Sequence, residues 1–394
     1  MTQNPVPESV RALYSGALTE ELLDLRRDLH RHPELSFQES RTQEKLRKRL
    51  DEFDPQDVAG TGLIARIRGK NSGAPVVALR GDIDALPIHE ETGVPHASEN
   101  PGVMHACGHD VHATWMVAAA KLLKQNPADG DILILLQPAE EIGEGALRVL
   151  ESGALDGVRC IFGGHVDRRF SVGEVVADAG PLCAATDSFE IVLTGQGAHG
   201  ARPHEARDPV VGLAALVQSL QTIVSRRLNP DTPAVVTVGK VEAGSAPNII
   251  PESAAIQGTL RSLEPETRQL LVDEVRRIAR AVADAHHLTA EFRILNGTPP
   301  VINPPEAAAW AQAAAESVLG SDALKSLGFL NMGGEDFAYY MERIPGCFLR
   351  IGAREDGGEA TAAHSPYFYA ADECIFTGAA VLAECARRAS AALA

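Results

Sequence analysis

The densest chemistry in this chain is Met104-His105-Ala106-Cys107-Gly108-His109-Asp110-Val111-His112, which puts a thiol and three imidazoles within eight residues. Cys107 and His109 stand two apart, so both face one way only if the backbone is extended or looped there, and Gly108 between them permits such a turn. A thiolate and an imidazole aimed at one point are good ligands for a borderline-soft divalent metal. An isolated C-x-H is more often a buried cysteine beside a satisfied histidine, but further donors follow downstream: Glu140-Glu141, His165 and His364. Cys107, His109, Glu141, His165 and His364 are too many for one catalytic zinc, which usually takes three protein ligands. They suit two ions about 3.5–4 Å apart with a shared water. Glu140 and Glu141 cannot both point at one metal from an extended backbone. One can ligate while the other takes the proton of the attacking water.

These groups need elements that deliver them to one place. Val76-Val77-Ala78-Leu79 is an apolar run ending in Arg80-Gly81-Asp82-Ile83-Asp84, as a buried parallel strand does, with Asp82 and Asp84 just beyond it. Ile132-Leu133-Ile134-Leu135-Leu136-Gln137 is a second such strand and runs straight into Pro138-Ala139-Glu140-Glu141; Val158 to Phe162 leads into Gly163-Gly164-His165. Three strand ends in a row deliver polar groups. A helix capped by Thr19 is expected to Arg31, another over 39–50 and another over 114–124. The alternation predicts a mostly parallel, doubly wound α/β sheet with the site along its carboxyl edge.

From 187 to 296 the pattern changes to β-α-β-β-α-β, with Asp208-Pro209 as the cap and first turn of the first helix. This reads as a ferredoxin-like domain inserted into a catalytic domain formed by 1–186 and 297–394. Within it His199 reads as a loop histidine, Asn248 as a turn residue and Arg261 as a strand-end arginine facing either solvent or a ligand. Gly333-Gly334 before Glu335-Asp336 reads as a helix start, either simply capped or cradling an anion on free N–H groups.

Composition narrows the class. A chain of 394 residues exceeds one ordinary core, and 45% apolar with 23% charged residues is the balance of a soluble globular protein. The net charge of −17 argues against nucleic acid and against an anionic membrane as partners. No apolar run is long enough to span a bilayer. Met1 to Glu8 lacks the apolar core of a secretory signal. The six cysteines, at 107, 160, 183, 347, 374 and 385, are scattered and fit free thiols in a reducing cytoplasm.

Taken together, several segments resemble the amidohydrolase branch of the dinuclear metallo-aminoacylase and carboxypeptidase family, which includes hippurate hydrolases, auxin-conjugate hydrolases and N-acetyl-diaminopimelate deacetylases. The resemblance runs nearly the full length: Arg27 to Leu35, Asp82 to Pro87, Met104 to His112, Gln137 to Glu141, Ala198 to His204, Pro247 to Pro251, Gly258 to Arg261, Glu335 to Phe337 and His364 to Pro366. It implies that Cys107, His109, Glu141, His165 and His364 hold two divalent ions (zinc, manganese, cobalt or nickel), that Glu140 is the base, and that Asp84 orients the ligands from behind. It further implies that the inserted domain makes a homodimer or larger homo-oligomer. His199 and Asn248 would then reach the partner's site, and Arg261 would bind a substrate carboxylate. The expected activity is hydrolysis of N-acyl amino acids, with the substrate carboxylate near Arg261, Asn248 or Gly334 and with His199 stabilising the oxyanion. The rivals are a dipeptidase or carboxypeptidase on the same frame, and a metal-dependent binding protein without catalysis.

Overall fold

The computed structural model describes residues 6–394, so most of Met1–Glu8 lies outside the described residues. The chain forms two compact units. One is the chain up to Gly180 with Ile302–Gly328 and Asp336–Ala394; the other is Pro181–Val301 with Phe329–Glu335. The second unit is wider at both ends than the expected 187–296, because the first strand of its sheet begins at Ala185 and the last ends at Thr298.

The first unit is built on an eight-stranded sheet. At its centre Ile132–Gln137, Val76–Asp82, Val158–Ser171 and Gly346–Arg354 lie side by side and parallel. Gly62–Ile67 joins antiparallel on the Ile132–Gln137 side. The middle strands are apolar on both faces because helices cover both, which is why they read as unbroken hydrophobic runs. The helix His109–Gln125 is itself buried round most of its surface and packs against Gly16–Arg31 and Glu373–Leu393. Chain order reverses at Val76–Asp82, whose neighbours are the next two central strands, one on each side. Such a switch point opens a crevice at the carboxyl ends of the strands. Register places Asp82 opposite Gln137, and Arg350 opposite His165. The polar groups that end each strand therefore converge.

Several local expectations are corrected. Ser15, not Thr19, caps the first long helix, accepting from Leu18 N at 3.2 Å. Asp82 is the last residue of its strand rather than beyond it. The strand from Val158 runs through His165 to Ser171. The helix predicted from Thr114 begins at His109, so His109 and His112 share one helical face. Glu335 and Asp336 open no helix; a short one begins only at Ala338.

The second unit has the β-α-β-β-α-β order. Strands Ala185–Thr194, Ala234–Ala243, Ser253–Ser262 and Thr289–Thr298 form an antiparallel sheet in which the first and third are central. Helices Pro209–Leu220 and Pro265–Ala285 cover one face, enclosing Phe189, Ile191, Leu193, Leu216, Leu271 and Val275. Asp208 caps the first helix, accepting from Val210 N at 2.8 Å. No helix among the described residues is long and apolar enough to cross a membrane.

Candidate metal centre

Gly108 makes the junction. It sits at φ +89° as the residue before the helix, and a Cβ there would meet Val166 Cγ2 at 2.3 Å, so a side chain is excluded on both grounds. The turn leaves Cys107 and His109 buried and close together. Each imidazole is then fixed by a bond at Nδ1. His109 Nδ1–H donates to the Asp84 carbonyl at 2.9 Å and lies 3.2 Å from Asp84 Oδ1. His165 Nδ1–H donates to the Val166 carbonyl at 2.7 Å. Both rings therefore present a bare Nε2, the arrangement a metal-binding histidine needs. His165 Nε2 is 3.1 Å from Cys107 Sγ. His109 Nε2 is 3.9 Å from Glu141 Oε1, and both atoms are buried without a hydrogen-bond partner.

His364 arrives from a distant loop, tied down by its own N–H to the Ala106 carbonyl at 2.8 Å. Its Nε2 is 3.3 Å from Glu141 Oε2. Donor atoms thus gather into overlapping sets, Cys107/His109/His165 and Cys107/Glu141/His364, with Glu140 beside His109 and Glu141. All five expected ligands lie in these sets.

The donor chemistry fits divalent metal. Contacts to Cys107 and Glu141 push His364 up to about 10, while burial, reinforced by Glu141, pushes the Cys107 thiol up. Burial holds the His165 ring well below its usual range, so it offers a neutral nitrogen, while a bound cation would take the place of the protons on His364 and Cys107.

Asp84 organises the rest. Its Oδ1 and Oδ2 accept from Glu140 N and Glu141 N, each at 3.1 Å, and Oδ2 also accepts from Ser36 Oγ at 2.7 Å. Burial pushes its carboxyl up, but hydrogen bonds from His109 and Ser36 hold it below the usual range. It is therefore an anion that accepts from one imidazole of the donor sets and two successive amides.

The third imidazole of the motif is otherwise engaged. His112 Nδ1–H donates to Asp82 Oδ1 at 2.6 Å and its Nε2 accepts from Val166 N at 3.0 Å, so neither nitrogen is left to ligate. Behind Asp82 is a buried polar hub that the sequence reading missed. Arg80 Nε donates to Gln137 Oε1 at 2.7 Å, Nη1 to Asp82 Oδ2 at 2.5 Å and Nη2 to Asp336 Oδ1 at 2.7 Å. Tyr340 Oη adds a bond to Gln137 Oε1 at 2.9 Å. Asp336 N–H lies 3.4 Å from Glu140 Oε1. One signal was available: an arginine inside a strand covered on both faces must find buried anions.

In the second unit, His199 and Asn248 come together. Ala198–His199 pairs with Ile249–Ile250, His199 opposite Ile249, and Gly200 N–H donates to the Asn248 carbonyl at 2.8 Å. His199 is exposed, and its Nδ1 accepts from Ala201 N at 3.0 Å, which leaves Nε2 as the N–H donor. Arg261 is elsewhere. It pairs with Thr186 at the far end of the Ser253–Ser262 strand, roughly 25 Å away at about 3.3 Å per residue. Gly334 belongs to that end too: a Cβ on it would meet Thr186 Cγ2 at 2.6 Å, so close packing explains the glycine. With no helix opening at Glu335, the expected helix-start anion cradle is not formed. Asn248 and Arg261 therefore do not serve one carboxylate from within one unit.

Residues 78–388 match the peptidase family M20/M25/M40. An N-acetylcysteine deacetylase of Bacillus subtilis is 41% identical over 377 residues, covering 93% of this chain and 96% of that protein. The IAA-amino acid hydrolase ILR1-like 2 of Arabidopsis thaliana is 37% identical over 93% of this chain and 84% of its own length. Among solved structures, a Bacillus subtilis protein described as a dinuclear metal binding peptidase of family M20 superposes with a TM-score of 0.84 at 38% identity, covering 96% of this chain and 99% of that one.

Proposed function

Because the chain belongs to the peptidase M20/M25/M40 family, we propose that it is a metal-dependent amidohydrolase that splits N-acyl amino acids into a carboxylic acid and the free amino acid. One observation carries the reading: Cys107 joins two donor sets, with Glu141 in the second, and Glu140 lies beside them on a turn clamped by Asp84. The relatives named for N-acetylcysteine and for IAA-amino acids support that substrate class.

Cys107, His109, Glu141, His165 and His364 would hold two divalent ions. Bound ions supply Lewis acidity to the amide carbonyl and acidify water. Glu140 takes the proton of the attacking water and passes it to the amine nitrogen as the C–N bond breaks. Asp84 keeps His109 in the tautomer with a bare Nε2 and holds the Glu140 and Glu141 amides. His199 donates from Nε2 to the oxygen on which charge develops. Arg261, at the other end of its strand, binds the substrate carboxylate; Asn248 acts beside His199.

We further infer a homodimer formed through the second unit, which exposes Val211, Val241, Ile249 and Leu295 at about half of their surface. The six cysteines, all free and buried, suit a reducing cytoplasm.

The test is a panel of N-acetyl, N-benzoyl and indoleacetyl amino acids against dipeptides, with zinc, manganese, cobalt or nickel added after chelation. Turnover of the acyl amino acids that stops with chelator and returns with metal is the expected result. Preference for dipeptides would favour the peptidase reading instead.

Cys107→Ser isolates the thiol. A bound thiolate is soft and deprotonated, and serine replaces it poorly. Metal content should fall well below that of Cys183→Ser or Cys347→Ser, whose thiols are equally buried but lie in none of the donor sets. Equal metal in all three variants would refute the assignment of Cys107.

A further inference from the structure

Glu39 has no part in the chemistry described so far, yet it is fully buried close to it. It directly precedes the helix Ser40–Leu50, and its carbonyl accepts from Gln43 N at 2.8 Å as the first helical bond requires. The free amides of that first turn go to another residue: Arg41 N and Thr42 N donate to the two oxygens of Glu34 at 3.2 and 2.8 Å. The Glu39 carboxylate is thereby left for a distant partner. Its Oε1 accepts from Ala139 N at 3.0 Å and its Oε2 from Thr61 Oγ1 at 2.5 Å.

Ala139 is the residue before Glu140-Glu141. It sits at φ +56°, a region that residues other than glycine rarely adopt, and it is completely buried. Its carbonyl accepts from Gly145 N at 3.1 Å. The amides of 139, 140 and 141 therefore all donate to buried carboxylates, the first to Glu39 and the next two to Asp84. Without Glu39, a buried N–H would be orphaned at the strained position, and the turn could relax by rotating Ala139. That rotation would re-aim both glutamates.

We propose that Glu39 is a positioning residue for hydrolysis: by accepting from Ala139 N–H it holds the left-handed turn that aims Glu140 and Glu141. The inference rests on the amidohydrolase reading above. The role needs an acceptor at the right reach and does not need a charge. Burial in any case pushes the Glu39 carboxyl up toward its neutral form.

Length and charge separate cleanly in two substitutions. Glu39→Gln keeps an acceptor oxygen at the same reach, and the Thr61 hydroxyl can turn to accept from the amide. Glu39→Asp keeps the charge but withdraws the oxygen by one methylene. Misplacement of this order at a reacting group costs roughly tenfold to a hundredfold in rate. With N-acyl amino acid substrate and metal in excess, Glu39→Asp is expected to lose at least about tenfold in kcat with KM and metal content little changed, and Glu39→Gln to stay within about threefold of wild type. A role that depends on the charge predicts the opposite order, with Asp the better substitute, and a merely structural role moves stability and metal content rather than kcat alone.

Wild-type kcat in Glu39→Asp, equal losses in the two variants, or loss of activity in step with loss of metal would each overturn the proposal. If Glu39→Asp does not fold, Thr61→Val frees Oε2 while leaving Glu39 in place. It should lower kcat severalfold at constant KM, and wild-type kcat would count against the proposal. Glu140→Gln is assayed alongside. An active Glu140→Gln removes the premise, whereas an inactive one with wild-type Glu39→Asp removes this inference alone.

Discussion

Glu140→Gln is expected to keep the fold and the metal while turnover falls about 10²–10⁴-fold, the usual contribution of a positioned proton acceptor. The substitution is close to isosteric, and the structure offers it the same partners. The backbone N–H of residue 140 still donates to Asp84 Oδ1 at 3.1 Å. The side-chain oxygen that lies 3.4 Å from Asp336 N remains an acceptor in glutamine. Glu141, Cys107 and the three histidines are unaltered, so metal content should match wild type. What disappears is the ability to take a proton from water and return it to the leaving amine. Equal losses in kcat and kcat/KM are expected, because the interaction is made in the transition state rather than in substrate binding. Near-wild-type turnover in a fully metallated variant would show that another group is the base.

The contrast between Glu140 and its neighbours shows what could be read without a structure. The donors announced themselves because their types are rarely wasted: a thiol and imidazoles at tight spacing, and a Glu-Glu pair straight after a six-residue apolar strand. The sheet was legible for the same reason, since strands covered on both faces leave unbroken apolar runs. The supporting groups were not. Arg80 meets Asp336 across 256 residues, and Glu39 meets Ala139 across 100, so no local window contains both partners. The early start of the helix at His109 was hidden because motif residues were read as loop; the structure shows that the helix itself presents His109 and His112 on one face. Gly334 misled for the opposite reason. A Gly-Gly pair before two acids has the pattern of a helix start, but this glycine answers to the crowding of Thr186 and Thr298.

The second large effect concerns His199. Its Nδ1 already accepts from Ala201 N–H, which leaves Nε2 of the exposed ring as the N–H donor. A fixed N–H donor suits an oxygen on which negative charge develops, and losing one such donor costs about 10²–10³ in kcat. His199→Ala should therefore retain metal, because His199 is in none of the donor sets, and lose turnover on that scale. The second unit also constrains whose site it serves. His199 and Asn248 lie at one end of the Ser253–Ser262 strand and Arg261 at the other, roughly 25 Å apart by strand rise. An N-acyl amino acid is too small to touch both ends of one copy. If both ends act on substrate, they act in different sites, and in a symmetric dimer the second site is the partner's. Mixing Glu140→Gln with His199→Ala under conditions that exchange subunits should then restore activity from two inactive proteins. Each hybrid combines an intact Glu140 from one chain with an intact His199 from the other in one of its two sites. Equal mixing makes half the dimers hybrids, so recovery should approach roughly a quarter of wild-type activity. If exchange is verified by differential labelling and no activity appears above that of the separate variants, His199 works within its own chain or outside the reaction.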